Sequence, residues 1–387
     1  MGLLCVLGTS KTAVSSALLR RDCPVPEQQG IYSSWCDTYV GRIPGELMSV
    51  PSELSQYNCR NNQIAMAALE QIRPAIEDAR LKYGPNRVGV VMGTSTSGIV
   101  NTENAVRLWE VSGRHPAGFH ALQGVLAGLG EFVAAFLQVS GPVSTVSTAC
   151  SSSGIAFLAA RRLLDLDQCD VVVVGGVDSL CELTVRGFAS LDALASTYCR
   201  PLSTKRDGIN IGEAGAVFLM SRECRGVHFR GGAASSDAYH ISAPHPEGRG
   251  AFLAMKNALL NAGIEPSTID YLNLHGTGTV QNDLMECKAV NRLLGENIPC
   301  STTKTFTGHT LGAAAALELA LCWLLLTSGS DWRLPPSLFM DDLDPDLAPV
   351  AVTRDNDFST GKPRVCMSNS FAFGGSNVSL VIGVVDD

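Results

Sequence analysis

Three side chains in this sequence have the types and settings that thioester chemistry would need: Cys150, His275 and His309. Cys150 lies in VSTACSSSG, residues 146–154, where an apolar, strand-like segment ends in small residues and a helix begins near Ser151. A thiol at a helix N-terminus faces the positive end of the helix dipole, which predicts a lowered pKa and a larger thiolate fraction. Its neighbours Ala149, Ser151 to Ser153 and Gly154 are small enough to let a thioester carbonyl approach. The competing reading is a buried structural cysteine, because the chain has 13 cysteines to choose from. His275 lies in NLHGTGT, residues 273–279, after an apolar strand, and so at the strand's C-terminal end, where ligands gather in α/β sheets. A structural histidine would fit the same pattern. Lys304 and His309 share a Gly/Thr-rich turn in STTKTFTGHTLGAAAALE, residues 301–318. That turn leads into a helix start so small, Gly312 and four alanines, that something must pack closely against it. A second Gly-rich turn, NSFAFGGSN at residues 369–377, offers backbone to a substrate. Taken together and in this order, these segments describe a thioester-handling site.

Alternating helices and buried strands would position them. Helical stretches are read at Asn61–Tyr83, Leu122–Gln138, Gly154–Leu166, Gly248–Ala262 and Gly312–Leu326. Between them lie short β-branched runs at Val88–Met92, Val171–Val174, Ala216–Met220, Tyr271–Leu274 and Val378–Val385, as strands covered on both faces require. Such alternation predicts an α/β fold. An internal duplication is also visible. VGVVMGTSTSG (88–98) is echoed by IDYLNLHGTGT (269–279), DVVVVGGVDS by RVCMSNSFAFGG, and AVFLMS by VSLVIG. Chance similarity between α/β segments is the alternative. The halves divide near Glu223–His228, giving residues 1–225 and 226–387.

Composition narrows the function. With 387 residues, 45% of them hydrophobic, the chain can bury a large core. A net charge of −8 without a basic block argues against nucleic acid, which needs clustered Lys and Arg. The cysteines form no CxxC pair, which points to reduced thiols in a cytoplasm rather than disulfides or structural zinc. The N-terminus carries no signal-peptide pattern, and the apolar run Leu311–Leu326 contains Glu318, so a buried helix is expected there and no membrane span. The segment GTSTS (93–97) lacks the second glycine of a serine-hydrolase elbow.

From about Asn61 to the C-terminus the chain resembles the β-ketoacyl-(acyl carrier protein) synthases of the thiolase superfamily, in the elongating, two-histidine form. Besides the segments above, CRPLSTKRDGINIGEAGA (199–216), SSDAYH (235–240) and the Asp283–Glu286 pair carry the likeness. The resemblance implies a five-layered αβαβα thiolase fold of two similar halves, the second holding both histidines. It gives Cys150 the role of nucleophile, His275 and His309 those of catalytic imidazoles, and Lys304 that of their support. Asp283, Glu286 and Glu318 match the structural carboxylates. Phe373 matches the gating phenylalanine, whose N–H completes an oxyanion hole with that of Cys150. Thr277 and Thr279 match residues that bind the phosphopantetheine arm.

The implied reaction is ping-pong: an acyl group moves from acyl carrier protein to Cys150, malonyl-carrier protein loses carbon dioxide, and its enolate attacks the thioester. No metal or diffusible cofactor is implied. The expected partners are acyl carrier protein and a second subunit, either another copy or a chain-length-factor-like homologue. The setting is cytoplasmic fatty-acid synthesis or a specialised polyene pathway of the aryl-polyene or polyketide-like kind. The alternative is a non-catalytic partner subunit that shapes chain length.

Three departures stand out. The first 55 or so residues, with Cys5, Cys23 and Cys36, match the family poorly. The turn reads Ala372-Phe373-Gly374-Gly375, with alanine where a glycine is usual, which predicts a stiffer gate. Leu191–Asp192 carries an acid where relatives have a basic residue that docks the carrier protein, leaving Arg60, Lys205 or Arg206 for that task.

Overall fold

The computed structural model describes residues 1–18, 38–223, 226–329, 332–354 and 361–384. The chain enters on β1 (Gly2–Cys5) and returns at β2 (Val40–Gly41), which pairs in parallel with β6 (Ile211–Gly212). Strands β3 (Val88–Gly93), β4 (Val143–Val146), β5 (Val171–Asp178) and β7 (Ala214–Ser221) join β1 in a sheet ordered β1-β7-β5-β3-β4. The second sheet contains β8 (Val227–Ser236), β9 (Tyr271–Asn273), β10 (Pro299–Ser301), β11 (Ala351–Val352), β12 (Val365–Phe371) and β13 (Ser376–Val384), ordered β11-β10-β9-β12-β13-β8. Apart from the extra edge strand β11, the two orders superpose. In each, an antiparallel pair at one edge (β1-β7 and β8-β13) is followed by three mutually parallel strands (β5-β3-β4 and β12-β9-β10). Each of the three sequence echoes falls on an equivalent pair, β3 with β9, β5 with β12 and β7 with β13. The duplication is therefore architectural.

The helices are α1 (Lys11–Leu18), α2 (Arg60–Glu70), α3 (Arg73–Tyr83), α4 (Ile99–Ser112), α5 (Gly128–Leu137), α6 (Ser152–Asp165), α7 (Glu182–Ser190), α8 (Arg249–Ala262), α9 (Val280–Leu294), α10 (Lys304–Thr307) and α11 (Ala314–Thr327). They complete five layers. On the outer face of the first sheet, Val88, Val90 and Met92 of β3 pack with Ile64, Ile76 and Phe132 of α2, α3 and α5. On its inner face Val91, Val172 and Val174 meet Phe157 of α6 and Leu317 and Leu321 of α11. Successive strand residues thus feed two cores, which is why the strands read as unbroken apolar runs. Helices α8 and α9 cover the far side of the second sheet through Met255, Leu259, Met285 and Val290. Apart from Glu318, helix α11 is apolar on every buried face because it lies between two sheets.

The stretch read as one helix over Asn61–Tyr83 is two, since Pro74 starts α3 and Ile72 before it is not helical. The N-terminal residues do belong to the fold: β1 pairs with β7 and closes the first sheet, with Cys5 buried. Cys23 and Cys36 lie outside the described residues. The ten cysteines among the described residues are all free thiols. No helix among them is long and apolar enough to cross a membrane.

Candidate active site

Cys150 stands at an elbow between β4 and α6. Ala149 takes a left-handed φ of 52°, which turns the chain sharply. The turn is held by Ser152 N–H on the Ala149 carbonyl at 3.1 Å and by Thr148 N–H on Ser152 Oγ at 2.9 Å. The helix start presses directly on the sheet: a Cβ on Gly93, at the end of β3, would stand 2.4 Å from the Ser153 backbone. Glycine there is a demand of packing, and it brings the thiol to the C-terminal ends of the parallel strands.

The second sheet supplies both imidazoles. His275 follows β9, and its N–H and that of Gly276 donate to Glu286 on α9 at 2.8 and 2.7 Å. His309 follows α10 and is bridged to Asn210 and Gly212, its N–H reaching the Asn210 carbonyl at 2.6 Å. The two rings meet edge to face, with centroids 5.3 Å apart. His309 Nε2 lies 2.9 Å from Cys150 Sγ. Behind them Lys304 Nζ donates to the His275 carbonyl and to Glu318, with both side chains buried. Asp283 ties two loops together by accepting from Leu202 N–H at 2.7 Å and Gly278 N–H at 3.2 Å.

Burial sets the protonation states. It lowers the pKa of His275 and His309 well below the imidazole range, with the Lys304 charge adding to the effect, so both rings are neutral. Burial also raises Glu318 to about 7 despite Lys304 beside it. The Cys150 thiol is pushed up to about 12, chiefly by burial, while Lys304 and the N–H groups of Phe373 and of Cys150 itself pull down less. The lowered pKa expected from the helix N-terminus is thus overturned. Desolvation of a thiolate at a site 5% exposed outweighs the dipole, and the resting thiol is protonated.

A cavity of about 380 Å³ opens onto the sulfur. Its lining includes Cys150, His275, His309, Thr277, Thr279 and Phe373. The Phe373 ring leans on Phe188, centroids 5.6 Å apart. Ala372 has no left-handed φ, and its N–H reaches the Ser376 carbonyl at 2.8 Å, so alanine is accommodated in the turn. Ser151 Oγ donates to Ser376 Oγ at 2.9 Å, joining that turn to the elbow. Asp192 lines the mouth.

The structure brings together Cys150, His275, His309, Lys304, Phe373, Thr277 and Thr279, with Asp283, Glu286 and Glu318 behind them. It does not offer the expected basic docking residues equally. Arg60 is turned onto buried Glu213 at 2.8 Å, and Arg206 is itself buried against Asp344 at 2.6 Å. Lys205 is exposed and paired with Asp342 at 2.9 Å. Sequence reasoning missed Phe188, the amide contact of Asn369 on Glu286 at 3.3 Å, and Asp178. The linear spacing also hid that donor atoms of Cys150, His275 and His309 lie within 4.8 Å of one another, a grouping a metal centre would share. Metal-bound imidazoles ordinarily hand their other N–H to a carbonyl or carboxylate. Among the described residues, Nδ1 of neither buried ring has such a partner. The set suits hydrogen bonding and proton transfer at a thioester better than a resident cation.

A duplicated αβαβα fold with a cysteine at the strand ends of one half and two neutral imidazoles from the other defines a thiolase-type enzyme. The chain belongs to the β-ketoacyl synthase family, a family of acyltransferases: the N-terminal domain model of that family matches residues 53–224 and the C-terminal domain model residues 227–339. It is 32% identical to nodulation protein E of Rhizobium meliloti, over 98% of this chain and 96% of that protein. It is 31% identical to 3-oxoacyl-[acyl-carrier-protein] synthase 2 of a Synechocystis strain, over 79% and 78% of the two chains. Among solved structures it resembles the ketosynthase ApeO of Xenorhabdus doucetiae, determined in complex with its chain length factor ApeC. The TM-score is 0.93 at 41% identity, covering 99% of this chain and 96% of that one.

Proposed function

We propose that this chain is a 3-oxoacyl-(acyl carrier protein) synthase in which Cys150 carries the growing acyl group and His275 and His309 drive decarboxylative condensation. The 2.9 Å contact between His309 Nε2 and Cys150 Sγ carries the reading. As the sulfur attacks the acyl thioester, its proton passes to His309 and on to the departing pantetheine thiolate, which leaves as the free thiol. Backbone N–H groups of Cys150 and Phe373 hold the tetrahedral oxyanion; such donors are typically worth about 3–4 kcal/mol each. Malonyl-carrier protein then loses carbon dioxide, and N–H donors of the two neutral rings stabilise the enolate oxygen. The carbanion attacks the Cys150 thioester, the Cys150 thiolate leaves and takes up one proton from solvent water, and a 3-oxoacyl-carrier protein is released. Thr277 and Thr279 would hold the pantetheine arm in the cavity. Lys304, Glu286, Asp283 and Glu318 keep the imidazoles in place. No metal or diffusible cofactor enters these steps.

The likeness to a ketosynthase solved with its chain length factor favours a specialised polyene-type pathway and a heterodimer over general fatty-acid elongation and a homodimer. Residues 1–225 and 226–387 serve as the two halves, in a cytoplasmic enzyme. Intact-mass measurement after mixing the chain with a medium-chain acyl-carrier protein tests the central claim. A gain of one acyl group, lost in Cys150→Ala, supports it. No gain, alone or with a co-expressed homologous subunit, together with unchanged product output from the Cys150→Ala assembly, would establish the chain as a non-catalytic partner.

A further inference from the structure

Asp178, the last residue of β5, is fully buried, yet no Lys, Arg or His pairs with it among the described residues. Its carboxylate instead collects six donors. They are Thr94 Oγ1 at 2.6 Å, Ser95 N and Oγ at 2.9 and 2.7 Å, Thr96 N and Oγ1 at 2.9 and 2.8 Å, and Gly312 N at 2.6 Å. Five come from the turn after β3, in the first half of the chain. The sixth comes from the second half, three residues beyond His309. Only Thr310 and Leu311 separate His309 from Gly312, and Leu311 holds a left-handed φ of 52°, an unfavourable conformation for a bulky side chain. A Cβ on Gly312 would stand 2.7 Å from Asp178 Oδ2 and 2.6 Å from Ser95 N, so the close approach is built into the sequence. Strain of this kind persists only where the surroundings over-determine it.

We propose that Asp178 is a positioning residue for the Cys150–His309 pair, its carboxylate clamping the strained His309–Gly312 turn of one half against the end of β3 in the other. The inference rests on the reading of Cys150 and His309 as nucleophile and partner. A charge clamp fits the site because every group facing it donates, and a carboxylate can only accept. Asp178 also acts on the sulfur through its charge, raising the Cys150 pKa against the opposing pull of Lys304, while neutral His275 and His309 add no charge of their own. The clamp therefore has an electrostatic signature that a purely steric support would lack.

The full-length chain, with its partner subunit if one is required, provides the test. Asp178→Asn keeps the shape but removes the charge and turns amide hydrogens toward donors. Condensation should fall about 100-fold, as expected when a reacting group is displaced by about 1 Å. The pH curve for iodoacetamide alkylation of Cys150, read by peptide mass spectrometry, should move to lower pH. Asp178→Glu, which keeps the charge, should retain the wild-type alkylation curve. If Asp178→Asn does not fold, Thr94→Val removes one hydroxyl donor and should slow condensation several-fold with the alkylation curve unmoved. Wild-type condensation in either of these variants, or an unmoved curve in Asp178→Asn, overturns the proposal. Failure of wild-type Cys150 to accept an acyl group would instead sink the reading beneath it, and the alkylation curve separates the two.

Discussion

Replacing Lys304 with methionine removes a buried cation while keeping most of its volume. In the wild type Lys304 Nζ bonds Glu318 and the His275 carbonyl at a site where the two side chains are only 1% and 2% exposed. Burial raises the Glu318 carboxyl from 4.5 to about 7. Between these values the folded protein keeps a proton that the unfolded chain has lost. This group's contribution is therefore complete below pH 4.5 and declines as pH rises to about 7. At about 1.4 kcal/mol per pH unit, that interval costs about 3 kcal/mol. Above pH 7 the wild-type decline ends, because Glu318 is ionised in both states. Without Lys304 the carboxyl holds its proton to higher pH, and the decline continues at about 1.4 kcal/mol per unit. Lys304→Met should thus be destabilised by about 3–5 kcal/mol at pH 8, as is usual for a broken buried pair. The gap should be constant below pH 7 and widen above it. Urea unfolding at pH 6, 7 and 8, followed by circular dichroism, measures this directly. A gap no wider at pH 8 than at pH 6 would refute the reasoning, as would a Lys304→Met/Glu318→Gln double variant that still shows the widening.

Separating the two half-reactions should separate the two imidazoles. His275→Ala should leave acylation of Cys150 within about tenfold of wild type, because His309 makes the contact with sulfur, yet lower condensation by about 10²–10³; acyl mass gain and carbon dioxide release report the two steps. Gly93→Ala should be among the most damaging small substitutions, since its Cβ would meet Ser153 backbone at 2.4 Å. A loss of about 1–3 kcal/mol in urea unfolding is expected, along with slower acylation.

The nucleophile and both imidazoles could be read from the sequence. His309, which follows α10, was marked by its Gly/Thr-rich turn, whereas Cys150 and His275 each stand after a strand and before small residues. That local pattern marks a strand-end turn whatever the tertiary structure. The duplication was legible for the same reason, as strands buried on both faces leave continuous apolar runs. Asp178 was not legible. An aspartate after a strand looks like any turn residue, and its partners lie 82 to 134 positions away. Helix α9 was missed because its buried face carries Asn282, Asp283 and Glu286, polar residues that serve neighbouring loops and break the apolar period. The protonation of Cys150 was misjudged because the helix N-terminus is visible in sequence, whereas burial is not.

The placement of α11 has a consequence for how the chain is made. Residues Ala314–Thr327 supply Leu317 and Leu321 to the inner face of a sheet whose last strand, β7, ends at Ser221. During vectorial synthesis the first sheet is therefore complete about a hundred residues before part of its own floor emerges. At ordinary translation rates, that leaves Val91, Val172 and Val174 incompletely covered for about 5–20 s. Helix α6 shields some of this surface early, but the rest must wait. The nascent N-terminal half is thus a natural client for a chaperone that holds apolar sheet, and slower translation through residues 226–327 would lengthen its exposure.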